Sequence, residues 1–218
     1  MAGASTTKDV RIFMTKGTPA TVVGVTGITA AKPAALTGAG MTLVAGDVVT
    51  FDKTGLANFD GKSFVVAATP APTATSVTLV GTDNTGGATT LAGGAVVTAY
   101  SGTTGLQDLC LSQLSISVDA PGTIDVSTFC GAASLPVPAA NVGSVNIGGY
   151  VDPTASDFLA IKGADELGDK RIFRVTMPNG TFLLMEGILS GLTYGLELNQ
   201  AITWSATITL TAKPRYTL

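Results

Sequence analysis

The 218-residue chain contains no histidine. That absence takes the imidazole out of every scheme that needs one: Ser-His-Asp and Cys-His nucleophilic sites, imidazole general bases, and zinc or iron sites with a His ligand. Cysteine is nearly absent. Cys110 and Cys130 are too few for a four-cysteine zinc site, and in a chain this long they are no disulfide framework; both are expected as buried, reduced thiols. Charge is scarce: Asp, Glu, Lys and Arg make up 12% of the residues, against about 25% in an ordinary soluble domain. The formal net charge of −3 leaves no basic excess to neutralise a phosphate backbone by counterion release, which disfavours tight DNA binding. Long apolar runs are missing too. Mean hydropathy is +0.43, yet Gly, Pro, Thr, Ser and Asn interrupt the uncharged stretches 84–107 and 126–151 well short of the about 20 apolar residues of a spanning helix. The first residues carry Lys8, Arg11 and Lys16 without an apolar signal core, so the product is expected to be made and initially kept in a cytoplasm.

What is abundant is Thr, Val, Ala and Gly, with 27 glycines and 10 prolines, a texture of short strands and tight turns. KDVRIFMT (residues 8–15) alternates as an opening strand, with Val10, Ile12 and Met14 on one face. From Thr21 to Tyr100 the β-branched runs TVVGVTGIT, GDVVTF, KSFVVAAT, SVTLVG and AVVTAY predict a small β-barrel or sandwich. A second organisation begins near Gly105. Leu111–Ala120 predicts a strand with Leu114, Ile116 and Val118 on one face, and Ser144–Val151 predicts another. Asp152 then serves as N-cap with Pro153 at the first helical position, and Phe158, Leu159, Ile161 and Leu167 follow at helical spacing. RIFRVTMPNGTFLLMEGIL is a hairpin about Pro178-Asn179-Gly180. In AITWSATITLTAK, Ile202, Trp204, Ala206, Ile208 and Leu210 alternate with Thr and Ser: one face packed, the other polar and uncharged. The fold class is therefore mainly β, a β-sandwich or barrel with one α-helix built from residues 1–19 and 101–218, plus a small all-β inserted domain at 20–100. The insertion is expected to be removable with a short linker.

No residue set carries a catalytic, metal or cofactor signature. The Gly-rich segments TGAGMTLVAGD and GTDNTGGATTLAGG lack the Lys-Ser or Lys-Thr and the following helix of a phosphate cradle, and read as turns. Asp47, Asp52, Asp60 and Asp83 lack calcium-loop spacing and read as turn aspartates bonded to their own backbone. Charge gathers instead around the helix, at Asp152, Asp157, Lys162, Asp165, Glu166, Asp169, Lys170, Arg171 and Arg174. Two readings stand: a solvated helix face, or, for Asp157 to Arg174, an inter-subunit set in which opposite charges fix register between protomers. Phe173, Phe182, Tyr194 and Trp204 are expected in the core.

The segments SISVDAPGTIDVSTF, GSVNIGGYVD, PTASDFLAIKGADELGDKR, RIFRVTMPNGTFLLMEGIL and NQAITWSATITLTAKP, with the opening strand, resemble the major tail (tail tube) proteins of long-tailed bacteriophages. The insertion separately resembles a small β-domain of phage virion proteins, through Gly27-Ile28-Thr29, Pro33, Thr37, Gly46-Asp47-Val48-Val49, Gly61-Lys62, Phe64 to Val66, Leu79 and Asp83. It departs at Met41-Thr42-Leu43, where a His-Gly is usual, and lacks an aromatic in SVTLVG. The resemblance implies a structural virion protein and no enzyme: a subunit of hexameric rings that stack into the channel for DNA ejection. It implies self-association and contact with tape-measure, terminator and baseplate proteins, DNA passing the lumen without specific binding, no membrane anchor, assembly in the host cytoplasm and final location in the virion tail. The helix and the uncharged loop 126–141 are the expected contacts within and between rings. A capsid decoration or tail-terminator protein is the nearer alternative and would form a closed trimer or a single ring, and an adhesin or S-layer domain would share the Thr/Gly-rich β texture but show a secretion signal or repeats.

Overall fold

A computed structural model describes residues 10–16, 20–22, 24–102, 105–118, 122–128, 131–137, 142–198 and 200–217, with side chains at all of these except 20–21, 122–128, 131–137 and 217. The described chain is mainly β with one helix, as the composition predicts. Its elements are β1 (Arg11–Thr15), β2 (Ala20–Thr21), β3 (Val25–Ile28), β4 (Ala35–Gly38), β5 (Val48–Asp52), β6 (Ser63–Val65), β7 (Ser76–Thr78), β8 (Val96–Tyr100), β9 (Leu106–Leu109), β10 (Gln113–Ser117), β11 (Gly122–Thr128), β12 (Gly131–Val137), β13 (Ser144–Tyr150), α1 (Ser156–Leu167), β14 (Lys170–Thr176), β15 (Phe182–Gly195), β16 (Thr203–Leu210) and β17 (Arg215–Thr217). The largest sheet has the order β10-β13-β16-β15-β14-β1-β9, with β17 also paired to β15. Strands β2 to β8 pair among themselves, in the sheets β2-β8-β5-β6 and β3-β4-β7, while β11 and β12 form a separate ribbon. Among the described residues no helix is long and apolar enough to cross a membrane.

By its contacts the chain divides into two compact units: one runs to Leu109 and takes in Ile172–Leu184 and the chain from Arg215, the other is Cys110–Arg171 with Met185–Pro214. In the first unit, the strands between Ala20 and Tyr100 close on an apolar core centred on Phe51, Phe59 and Phe64, whose rings meet edge-on or tilted at 5.3–5.7 Å. A second core in the same unit joins Val48 and Val65 to Leu106, Ile172 and Leu184, with Phe13, Val80, Tyr100 and Phe182 packed against it. Strands β1 and β9, which flank the insertion in sequence, pair antiparallel, so the chain leaves and re-enters the large sheet at adjacent positions.

Asp47, Asp60 and Asp83 accept backbone N–H groups as expected, whereas Asp52 is the last residue of β5 and lies 4.0 Å from Lys53. Asp47 accepts the Val44 and Gly102 backbone N–H groups at 2.9 and 2.6 Å, and the Asp83 carboxylate accepts Thr85 N–H at 3.0 Å. The Asp60 carboxylate accepts the Thr54 hydroxyl, the Thr54 N–H and the Gly55 N–H. The hydroxyl bond above all, with lesser help from the two amides, holds Asp60 below the ordinary carboxylate value against burial, which opposes it and is second in size to the hydroxyl bond. A carboxyl whose folded value lies below its unfolded one stabilises fully above the unfolded value, about 3.9, and loses that contribution as pH falls through the folded one. Thermal melts from neutral pH downward are therefore expected to show Asp60→Asn less stable than wild type at pH 7, with the two curves converging in acid.

Several expected details are corrected. The helix begins at Ser156 with Ala155 as N-cap and no side-chain cap, because the Asp152 carboxylate is taken by the Thr154 N–H and hydroxyl in a turn of its own. These bonds, the hydroxyl's first, also hold Asp152 below its ordinary value. Phe158, Ile161 and Ala164 form the buried stripe, while Leu159 and Leu167 lie on the opposite face, 51% and 70% exposed. The loop expected at 126–141 contains β-structure: β11 and β12 pair residue by residue from Gly122↔Val137 to Thr128↔Gly131. Pro136, opposite Thr123, is compatible with this ribbon because both of its strands are edge strands. Cys110 is exposed, not buried, and Cys130 lies outside the described residues. Trp204 and Phe173 are core, Phe182 is half-buried and Tyr194 is exposed.

Candidate functional site

In the second unit, strict strand alternation over β10, β13, β16 and the second half of β15 sorts side chains into two unlike faces. Val145, Ile147, Trp204, Ala206, Ile208 and Leu189 lie on the buried face. Trp204 donates its indole N–H to the Tyr150 carbonyl at 3.1 Å, and any side chain at Gly149 would meet the indole at 2.9 Å. That glycine is required by the packing of the largest side chain in the sheet.

The opposite face carries no charge. Register places Ser115, Asn146, Thr207 and Ser190 in one row across the four strands, and Ser117, Ser144, Thr209 and Ile188 in the next. On the other side of the first row lie Gln113, Gly148, Ser205 and Thr193, then Tyr150, Thr203 and Gly195. Neighbouring groups bond across the strands: Thr207 Oγ1 donates to Asn146 Oδ1 at 3.0 Å, and the Thr193 and Ser205 hydroxyls lie 2.8 Å apart. Such a surface offers donors and acceptors to water and to polyanions alike, with no fixed charge to hold or repel either. Strand β10 ends this sheet and, among the described residues, pairs only with β13. It has none of the devices that blunt an edge: no Lys, no Pro and no inward charge, and beside it Ile116 and Val118 stand 36% and 50% exposed. The expected apolar face of this strand is real in register, but much of it is uncovered.

The charged residues singled out around the helix are not gathered into one site. Asp157 accepts the Cys110 and Phe158 N–H groups at 3.1 and 2.8 Å, and Asp165 accepts the Leu192 N–H at 3.4 Å. Asp169 pairs with Arg171 at 2.7 Å, and Lys170 with Glu186 at 2.6 Å. Lys162 and Glu166 form an exposed i,i+4 pair at 3.8 Å on the outward stripe with Leu159 and Leu167. Arg174 belongs to the first unit and is 7% exposed. Glu186, 5% exposed, escaped the sequence reading. Its signal was available: a lone carboxylate inside the apolar run LLMEGIL needs a cation, and Lys170 stands across the hairpin.

No family model matches the chain, and no curated protein matches it. A solved structure titled "Tail of empty GTA particle computed with helical refinement, C6 symmetry" is similar over 53% of this chain and 89% of that chain, at 16% identity and a TM-score of 0.42. A tail particle is thus a distant structural neighbour. The chain's own surfaces remain the basis for a functional reading.

Proposed function

We propose that this chain is a structural subunit of a phage tail tube, assembling into rings, six-membered as the family resemblance implies, that stack around a channel for DNA ejection. The observation that carries the reading is the charge-free face of β10, β13, β16 and β15 from Ile188 onward. A Lys- or Arg-lined channel would bind phosphates and release counterions, holding the duplex; hydroxyls and amides keep their waters and exchange hydrogen bonds as the duplex moves. Placed inward, this face gives a lining that neither grips nor strongly repels DNA. The bare β10 edge supports the same reading, since rings that continue a sheet from subunit to subunit remove the edges that would otherwise aggregate. The β11–β12 ribbon and the outward stripe of α1, with Lys162 and Glu166, are the contacts proposed between subunits and rings. The segment 20–100 is proposed as an outward-facing inserted domain. Tape-measure, terminator and baseplate proteins are the further partners, and the virion tail is the location.

Electron microscopy of the purified protein at high concentration tests this. Tubes or stacked rings with a central hole are expected. Single rings that never lengthen would favour a terminator, monomers under every condition would remove the proposal, and a reconstructed channel lined by Lys and Arg would overturn the sliding role of the neutral face.

A further inference from the structure

Within the first unit, a set of polar contacts among apolar packing joins the segment 20–100 to strands β1, β14 and the start of β15. The Arg174 guanidinium lies over the Phe13 ring at 4.7 Å and the Phe182 ring at 5.6 Å, and Nη1 donates to the Gly46 carbonyl. The next residue, Asp47, is 5% exposed and accepts the Gly102 N–H on the returning chain at 2.6 Å. At Gly102 a side chain would meet the Gly46 carbonyl and the Asp47 nitrogen at 2.8 and 3.1 Å, both backbone atoms that cannot swing away. The two chain crossings are also joined, Lys16 N–H donating to the Gly105 carbonyl at 2.9 Å. Burial, and secondarily the nearby Arg11 cation, disfavour the charged form of Arg174, while Asp47 favours it. A buried cation of this kind is weak support for stability, since an apolar replacement of similar volume is often neutral. What a planar guanidinium between two rings supplies is direction, which neither an apolar side chain nor a lysine reproduces.

We infer that Arg174 is a latch: by gripping the Gly46 carbonyl from between Phe13 and Phe182, it fixes the segment 20–100 at one angle to strands β1, β14 and β15. The inserted strands therefore move with the sheet strands of their unit, and every copy presents them in the same direction. This goes beyond the tail-tube proposal and holds whatever the chain assembles into.

Backbone ¹⁵N relaxation on the full chain under monomeric conditions is the first test. Residues of β5 and β8 are expected to report the same rotational correlation time as residues of β1 and β14, and independent, faster tumbling of the segment would overturn the latch. In Arg174→Met the segment is expected to gain wider-amplitude motion about the apolar contact that Val48 and Val65 keep with Leu106, Ile172 and Leu184, and trypsin to cut at exposed Lys16 roughly tenfold faster, while the shifts of Phe51, Phe59 and Phe64 stay in place. Arg174→Lys is expected to restore less than half of the protection. Wild-type tumbling and cleavage in Arg174→Met would sink the idea, and should that variant fail to fold, the same two readouts in Arg174→Lys decide it, wild-type protection there overturning the latch.

Discussion

A chain lacking residues 21–100, rejoined by a short linker, is expected to be insoluble. The sequence suggested the opposite, because the texture changes at about Thr21 and again after Tyr100 and the segment between carries a resemblance of its own. Its second core is not its own: Val48 and Val65 cover Leu106, Ile172 and Leu184, and Phe13 and Phe182 pack on the same cluster. Deletion would uncover these residues together, at about 1.5–3 kcal/mol for each large side chain returned to water. Three such residues and two phenylalanines amount to roughly 7–15 kcal/mol, comparable to the whole stability of an ordinary domain. Arg174 would in addition lose the carbonyl it bonds. Expression of the deletion variant, followed by near-ultraviolet circular dichroism of any soluble fraction, checks this. A soluble product that unfolds cooperatively would show that the large sheet tolerates losing its cover. Replacing Leu106, Ile172 and Leu184 by Thr in the deletion variant is expected to recover some solubility.

How much of this was legible in the residues follows from what periodicity can encode. The alternation in β16 announced both of its faces from Trp204 to Leu210, whereas Ile202, expected on the packed face, precedes the strand and is 45% exposed. Periodicity says which side chains share a face and is silent on whether anything covers it. Ile116, Val118, Leu159 and Leu167 are apolar at regular spacing and nonetheless exposed. The β11–β12 ribbon was hidden for another reason: Gly-Ala-Ala-Ser-Leu-Pro has little strand propensity, and its pairing with β11 is a cross-strand property that a single segment does not display. Within the charge cluster, the intrachain partners were not legible from sequence proximity. Asp165 is used by Leu192 and Lys170 by Glu186, partners that only the return of β15 brings near. The neutral face was half visible: the Thr and Ser positions of β16 were plain, whereas Ser115, Asn146 and Ser190 join them only once register is known.

Proline placed in β10 is expected to separate folding from assembly. Along an edge strand, successive backbone N–H groups alternate between the ladder to the neighbouring strand and the outside. Of Ser115→Pro and Ile116→Pro, one therefore removes a donor that β13 uses, and the other removes a donor that only a further strand would use. The first is expected to cost about 3 kcal/mol or more in the folded monomer. The second leaves the ladder to β13 in place, and its cost appears in assembly: the outward edge loses a donor, and the ring places its bulk against an incoming strand. If the ring continues through β10, that variant melts close to wild type as a monomer and forms neither rings nor tubes in electron micrographs. Thermal melts of both variants identify which position faces inward, so the comparison needs no prior assignment of the N–H groups. Tubes of normal length from the variant whose monomer is unperturbed would mean that β10 stays an edge in the assembly, and that subunits meet through α1 or the β11–β12 ribbon instead. A charge at the same edge sharpens the outcome. Ile116→Lys keeps every backbone donor, so its effect must come through the side chain; loss of tubes in the outward proline variant with retention in Ile116→Lys would assign the contact to main-chain pairing alone.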